Sequence, residues 1–352
     1  MDFFYKLRKD KIPFTAFIVL IILYFLIAFA DFFAIYPSEY SNRKLAYQPP
    51  SKIYIIDKNN HLKLPYTYNY VKTFNEDTLS IEYKQIRDKK YKIKFFSHGF
   101  EYKLLGVFKS DIHLISKPDD CNLFLLGTDI GGHDVYSRLF YGGQISLTIG
   151  FLALLISFPI GALYGGISGY LGGVVDILMM RFAEAVMAIP SFYLLIILAA
   201  ILPSGMTSVQ RFALIVVILA LIGWAGFARV IRGMVLSIKE EDFVQAEKIM
   251  GASKLRIILK HILPQTTSYA IIAMTLSVPS YILAESGLSF LGLGIQQPDA
   301  SWGNMLKEAQ EFTNILYRPW LLAPGGLIFI AVLSFNLLGD AIRDILDPKS
   351  DN

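Results

Sequence analysis

A chain of 352 residues that is 54% hydrophobic and only 18% charged is too apolar for a soluble domain of its size. A formal charge of +4 points to no nucleic-acid partner, and the single cysteine, Cys121, excludes an internal disulfide and argues against a metal cluster. The five histidines are scattered without zinc spacing, so no metal site is expected.

In chain order, Met1 to Lys11 carries Lys6, Arg8, Lys9 and Lys11 against Asp2 and Asp10. Ile12 to Ala30 is a charge-free run of membrane length, read as a retained anchor rather than a cleaved leader. Its basic flank places the N-terminus in the cytoplasm, so the chain emerges on the far side at Asp31.

Residues 31–125 change character. Lys52-Ile53-Tyr54-Ile55-Ile56, the turn signal Asp57-Lys58-Asn59-Asn60, and His61-Leu62-Lys63-Leu64 read as a hairpin. Leu79, Ile81 and Tyr83 alternate with Ser80, Glu82 and Lys84, and Tyr91, Ile93 and Phe95 with Lys90, Lys92 and Lys94. That period predicts strands with one buried and one wet face, and hence a small tyrosine-rich β module outside the membrane. Its lysines are compatible with that side, because long loops escape the charge rule.

Residues 126–144 hold Leu126-Gly127-Thr128-Asp129-Ile130-Gly131-Gly132-His133-Asp134-Val135-Tyr136-Ser137-Arg138, then Tyr141-Gly142. Physically this is a Gly-rich turn leading into a short amphipathic helix at the entry to a span, with Asp129 and Asp134 placed to cap backbone amides. It lacks Gly-Lys-Ser/Thr, and no phosphate-binding loop occurs anywhere in the chain. The stretch resembles the signature of the second, C-type permease subunit of ABC importers of the dipeptide, oligopeptide and nickel family. The matching positions are Gly127, Thr128, Asp129, Gly131, Asp134, Ser137, Arg138 and Gly142, with His133 where the family has arginine.

Ile145 to Gly169 is a second span, with Gly161, Gly165 and Gly169 on one face and Gly173 continuing it, a spacing that lets helix backbones approach closely. A third span, about 177–202, contains Pro190 as an expected kink, and Arg181 and Glu184 are spaced to pair. A fourth covers Phe212 to Ala228, followed by Arg229, Arg232 and Lys239.

The connection 240–265 is longer than two spans require. Asp242 to Met250 reads as a helix with Phe243, Ala246, Ile249 and Met250 on its apolar face, and Gly251 stands where a left-handed C-cap is wanted. Ser253 is placed to cap a second helix whose apolar side is Leu255, Ile258, Leu259 and Ile262, and Pro264 marks a break. The run resembles the cytoplasmic coupling loop of ABC importer permeases in Gln245, Ala246, Glu247, Gly251, Ala252, Ser253, Leu263 and Pro264. The family's opening Glu-Ala-Ala is Gln245-Ala246-Glu247 here.

A fifth span, about Ser268 to Leu293, contains Pro279 and Glu285, a carboxylate near its outer end that is either a pathway residue or one that snorkels to the interface. Its setting resembles the family, as do Ser301-Trp302-Gly303, Pro319-Trp320 ahead of a sixth span at about Leu321 to Leu338, and Leu338-Gly339-Asp340 with Asp347-Pro348.

The expected fold is therefore an all-α polytopic membrane protein of six helices with a small β-rich extracytoplasmic insertion between helices 1 and 2. Its divisions are 1–30 (N-terminus and first helix), 31–125, 126–144, a transmembrane domain at 145–343 containing the loop 240–265, and a cytoplasmic tail at 344–352. The resemblance, which covers about 126–349 and the N-terminal anchor, implies a type I ABC permease in a bacterial cytoplasmic membrane with both termini inside. It implies a peptide importer in which the chain itself is no enzyme and binds no cofactor. ATP and magnesium would be held by two ATPase subunits docked on Asp242, Phe243 and the rest of the loop. The other implied partners are a sister permease, an extracytoplasmic binding protein and membrane lipid. The same class of importer carrying oligosaccharide or nickel is an alternative. A secondary transporter driven by an ion gradient is another, but it expects inverted repeats and several buried carboxylates. A bare membrane anchor for the β module leaves 240–265 unexplained.

Overall fold

The computed structural model describes residues 2–56, 62–75, 80–104, 106–203 and 205–346. Among them, five helical runs are long and apolar enough to cross a membrane: Lys11–Ala28 (α1), Val135–Leu171 (α2), Ser208–Ile238 (α5), Lys254–Phe290 and Pro319–Leu346. A bent pair, Gly173–Ala188 (α3) and Ser191–Ala200 (α4), brings the count to six if the two helices are one broken span. The expected kink at Pro190 is a break: the two helices turn through 77°. Proline excludes the helical conformation before it, and Ile189 is extended, at φ −81° and ψ 123°.

The chain divides into two compact units. One comprises Met1–Ile21, Leu147–Leu288 and Phe329–Asn352; the other comprises Ile22–Ser146 and Ser289–Ile328.

In the first unit the glycine face of α2 is used up within the chain. A Cβ at Gly161, Gly165 or Gly169 would come within 2.8, 2.2 or 2.8 Å of the carbonyls of Trp224, Ala228 and Arg232, all on α5. Only hydrogen side chains permit that approach. Gly173 does not continue the face: it lies at the α2–α3 corner with φ +56° and open space around it. Asp176 and Arg232 tie α3 to α5 as an ion pair, with Arg232 Nε donating to Asp176 Oδ1 at 3.0 Å and Ser168 Oγ donating to the same oxygen at 2.6 Å. Arg181 and Glu184 meet at 2.9 Å as their spacing predicts. Glu285 is fully buried, which removes the snorkelling alternative, and its Oε2 accepts from Ser286 Oγ at 3.4 Å.

The second unit holds the β module. Tyr54–Ile56 (β1), Leu62–Asn75 (β2) and Ser80–Lys92 (β3) form an antiparallel sheet in that order; Lys94–Leu104 (β4) and Phe108–Ser116 (β5) form a two-stranded ribbon. The expected β1–β2 hairpin is present, with Tyr54 opposite Tyr66 and Ile56 opposite Leu62 across a shift in register, and its turn at 57–61, like Leu79, lies outside the described residues. The expectation of one buried face fails along β4. Ile93, between β3 and β4, is buried, whereas Phe95 is exposed, because the ribbon pairs with no third strand among the described residues. Ile35, Tyr36, Ile93, Leu123 and Phe124 form the small core of this region.

The helix α2 starts at Val135 and runs unbroken to Leu171, so the predicted amphipathic helix and second span are one element. Gly142 and Gly143 do not interrupt it. A Cβ on Gly143 would fall 2.6 Å from Ile27 Cγ2 and 2.9 Å from Trp302, so close packing requires the glycine.

Candidate functional site

Two sites emerge from the predicted residues, one in each unit. The first is the connection after α5. Asp242–Ile249 (α6) starts behind Glu241, whose side chain makes no capping bond, so Asp242 acts through its charge in the first turn. The helix ends on Gly251 at φ +76°. Ala252 N–H donates to Glu247 O at 3.1 Å and Gly251 N–H to Lys248 O at 3.0 Å, the paired bonds of a Schellman cap. Ser253 Oγ then accepts from Arg256 N–H at 3.4 Å and opens the returning helix. Pro264 does not break this return. The run Lys254–Phe290 is continuous, widening to a π turn at Ile258–Ile262 and tightening to a 3-10 turn at Leu263–Thr266. Those two irregular turns accommodate the missing proline N–H.

Its burial pattern departs from the sequence expectation. Val244, Ile257, Ile258 and Ile262 are buried. The predicted apolar face of α6 is open instead: Phe243 is 42%, Ile249 87% and Met250 71% exposed, and Leu255 and Leu259 are exposed beside them on the return. Ala246 is also exposed, and Ala252 is half-buried. The loop is nonetheless held firmly from behind. Gln245 Nε2 donates to Lys239 O at 3.0 Å, Lys239 Nζ donates to Gly169 O at 3.2 Å at the end of α2, and Lys248 Nζ sits 5.6 Å over the Tyr170 ring. Leu263 packs at Gly166 of α2. Glu247 Oε1 lies 3.5 Å from His261 Nε2 across the loop. The connection thus carries an exposed apolar patch on a mount braced by polar contacts.

Lys239, Tyr170 and His261 acquire their roles only in the fold. Asp176 falls between two expected span boundaries, and its partner Arg232, on the next span, is the signal in the sequence that points to it.

The second site is the Gly-rich turn. Asp129 Oδ1 accepts from His133 N–H at 2.9 Å, and its other oxygen pairs with His133 Nδ1 at 2.7 Å. Asp134 caps α2: its Oδ2 accepts from Ser137 N–H at 2.9 Å and from Ser137 Oγ–H at 2.6 Å. Ser137 Oγ in turn accepts from the N–H groups of Ile35 and Tyr36 at 2.9 and 3.1 Å. Thr128 Oγ1 donates to Leu45 O at 2.6 Å, and Gly131 O accepts from Ser41 Oγ at 2.9 Å.

Two tryptophans clamp the turn. Trp320 Nε1 donates to Thr128 O at 3.1 Å over Gly127, and Trp302 Nε1 donates to Leu139 O at 2.8 Å over Gly142. Arg138 is buried with its Nη2 3.5 Å from Asp299 O and the carboxylates of Asp129, Glu308 and Asp299 around it. Glu308 Oε2 accepts from Ile130 N–H at 2.9 Å. Burial pushes Glu308 up to about 7, reinforced by Asp129, and burial likewise pushes Asp134 up to about 7. With Thr128, Asp129, Asp134, Ser137 and Arg138 all buried, the turn works as an internal latch rather than a partner surface.

Glu285 belongs to neither assembly of contacts. Among the described residues no three His, Cys, Asp or Glu side chains are grouped to hold a metal ion.

Residues 157–352 match the family described as binding-protein-dependent transport system inner membrane component, and residues 1–50 match the N-terminal TM domain of oligopeptide transport permease C. The chain is 45% identical over 225 residues to the dipeptide transport system permease protein DppC of Bacillus subtilis (strain 168), covering 63% of this chain and 68% of the relative. It is 40% identical over 224 residues to the oligopeptide transport system permease protein OppC of the same organism, covering 63% and 71%. To the oligopeptide transport system permease protein OppC of Haemophilus influenzae it is 42% identical over 224 residues, covering 63% and 70%.

Proposed function

The chain belongs to the family of binding-protein-dependent transport system inner membrane components, and from that premise we propose that it is a permease subunit of an ATP-driven importer of peptides. The cargo reading rests on the names of its relatives, which are dipeptide and oligopeptide permeases. The energy reading rests on one observation: an exposed apolar patch of Phe243, Ile249 and Met250, carried by a short helix that is braced from behind. That patch suits docking by an ATPase subunit holding ATP and magnesium, with Asp242, Gln245, Ala246, Glu247, Gly251, Ala252, Ser253, Leu263 and Pro264 forming its mount. Two ATPases, a sister permease and an extracytoplasmic binding protein complete the importer, which works in the bacterial inner membrane with both of this chain's termini in the cytoplasm. The chain performs no chemistry. It transmits a push on α6 through Gln245, Lys239 and the ends of α2 and α5 to the spans.

Substitution of Ile249 and Met250 by serine in the reconstituted complex tests the reading. Insertion and abundance stay normal, since both side chains are already in the open, while ATPase pull-down and peptide uptake fall together. Unchanged uptake would leave the loop a connector. Gradient-driven accumulation by the lone chain would instead point to a secondary transporter.

A further inference from the structure

The β4–β5 ribbon ends in an apolar tip whose position within its own unit is fixed by contacts to residues at the outer membrane boundary. Val107 is 72% and Phe108 67% exposed at the turn, beside Leu104 and Gly106. Lys103 and Lys109 face each other across the ribbon immediately behind this tip, and both are exposed. Two adjacent, uncovered large side chains on a hairpin are a poor match for water.

Packing at the base of the ribbon places it at the external ends of the helices. At its base, Phe96 lies 6.2 Å from Phe32, and Phe32 continues through Phe33 to Phe25 and Phe29 at the end of α1. That is an aromatic belt at a membrane–water boundary. The turn Ala30–Phe33 packs on both strands of the ribbon. Nearer the tip, Tyr102 and His113 stand within electrostatic reach of Tyr141 and Asp31, which are themselves joined by a Tyr141 Oη–Asp31 Oδ1 bond of 3.2 Å. Asp31 follows α1 and Tyr141 lies in the first turns of α2, so both mark the outer boundary. The tip begins two residues beyond Tyr102.

The ribbon is also stiffened internally. Tyr102 Oη donates to Ile112 O at 2.7 Å, and His113 Nε2 bonds Phe100 O at 2.9 Å. Its acidic residues, Glu101 and Asp111, sit behind the two lysines, and Asp111 is held by His98 at 2.7 Å. The order from the tip is therefore apolar, then basic, then acidic. This matches the order met in entering a phospholipid leaflet from the acyl side: hydrocarbon, phosphate, water.

We propose that Leu104, Gly106, Val107 and Phe108 at the tip of the β4–β5 hairpin insert into the outer leaflet of the membrane, with Lys103 and Lys109 reaching lipid phosphates. The insertion anchors the extracytoplasmic module at the same level as the outer ends of the first two spans. Long lysine stems permit this, lying along apolar surface while their heads stay at the phosphates.

The test uses the full chain in nanodiscs of phosphatidylcholine and phosphatidylglycerol. A nitroxide is placed at Val107→Cys or Phe108→Cys in a Cys121→Ser background, with Lys84→Cys on β3 as the aqueous reference. At 107 and 108, collision with oxygen rises and collision with a water-soluble nickel chelate falls severalfold relative to 84. The unlabelled native chain supplies an independent readout: a photoactivatable phospholipid attaches to the peptide containing Lys103 to Lys109. Equal nickel access at 107, 108 and 84, without lipid attachment, overturns the proposal. Protection that arises only after a second protein is added overturns it too, and makes the tip a protein contact.

Discussion

His261 Nε2 stands 3.5 Å from the Glu247 carboxylate, across the loop that joins α6 to its return helix. Both side chains are mostly shielded from solvent. The pair fastens the free end of α6 to the π turn Ile258–Ile262, beside the Gly251 cap.

Glu247→Ala therefore costs about 0.5–1 kcal/mol of local stability, and His261→Ala costs a similar amount. The double substitution costs little more than either alone, because each single change already removes the pair. Thermal unfolding of the four proteins in nanodiscs checks this, and additive losses would show that the two residues act separately. Uptake falls in parallel with the loosening of α6, so Glu247 acts on coupling from within the chain.

Gly165 is the tightest point between α2 and α5, with the site of a Cβ only 2.2 Å from Ala228 O. Gly165→Ala pushes two helix backbones apart and lowers the amount of folded chain severalfold. Gly233→Ala is the matched control: Gly233 is helical and has nothing within 4 Å of its Cβ site. Alanine there is neutral or gains a few tenths of a kcal/mol from helix propensity. Abundance by quantitative blotting separates the two, and equal abundance would mean that the glycine stripe is not a packing surface.

Much of this architecture was legible in the residues. Apolar run length located the spans, and Gly251 declared the left-handed cap, because helix ends follow local rules that sequence displays directly. What escaped depended on contacts between distant positions. Trp302 and Trp320 were visible only as parts of a resemblance; their work, gripping Leu139 O and Thr128 O, required the fold. The glycine stripe announces close helix packing, and only the fold shows that its partner is α5. Periodicity placed Phe243, Ile249 and Met250 on an apolar face and could not say that nothing within the chain covers it. A pattern shows that a face is apolar; only the assembled neighbours show whether it is spent.

The orientation of the chain is open to direct measurement. Single cysteines at Lys92 and Lys254, in a Cys121→Ser chain, label from opposite sides of the membrane, Lys92 from outside. The replacement matters little to the background. Cys121 is buried and its thiol is pushed up to about 11 by burial, so it carries little reactive thiolate at neutral pH. Labelling of both positions by an impermeant reagent in intact cells would refute this topology.

The latch around the Gly-rich turn is expected to weaken as pH rises toward neutrality. Glu308, ordinarily near 4.5, is held at about 7, chiefly by burial and then by the Asp129 charge, against the opposing effects of the Ile130 N–H, Arg138 and Arg318. A raised carboxyl pKa means that the folded state keeps a proton the unfolded state has released. Stability therefore falls as pH rises from about 4.5 to about 7 and levels off above that. Asp134, also raised to about 7, adds a slope of the same sign. For Glu308 the change is on the order of 2 kcal/mol, discounted for its remaining contact with solvent. Glu308→Gln keeps a side-chain oxygen for the Ile130 N–H and removes the ionisation. Hydrogen exchange of the amides at 127–138, corrected for intrinsic rate, checks this between about pH 5 and about pH 8. Protection in the native chain drops across that range. In Glu308→Gln the drop shrinks to the part owed to Asp134, and Asp134→Asn on top of it flattens the profile. An unchanged slope in Glu308→Gln would mean that Glu308 ionises freely in the fold, and that its contact with Ile130 carries no pH-dependent energy.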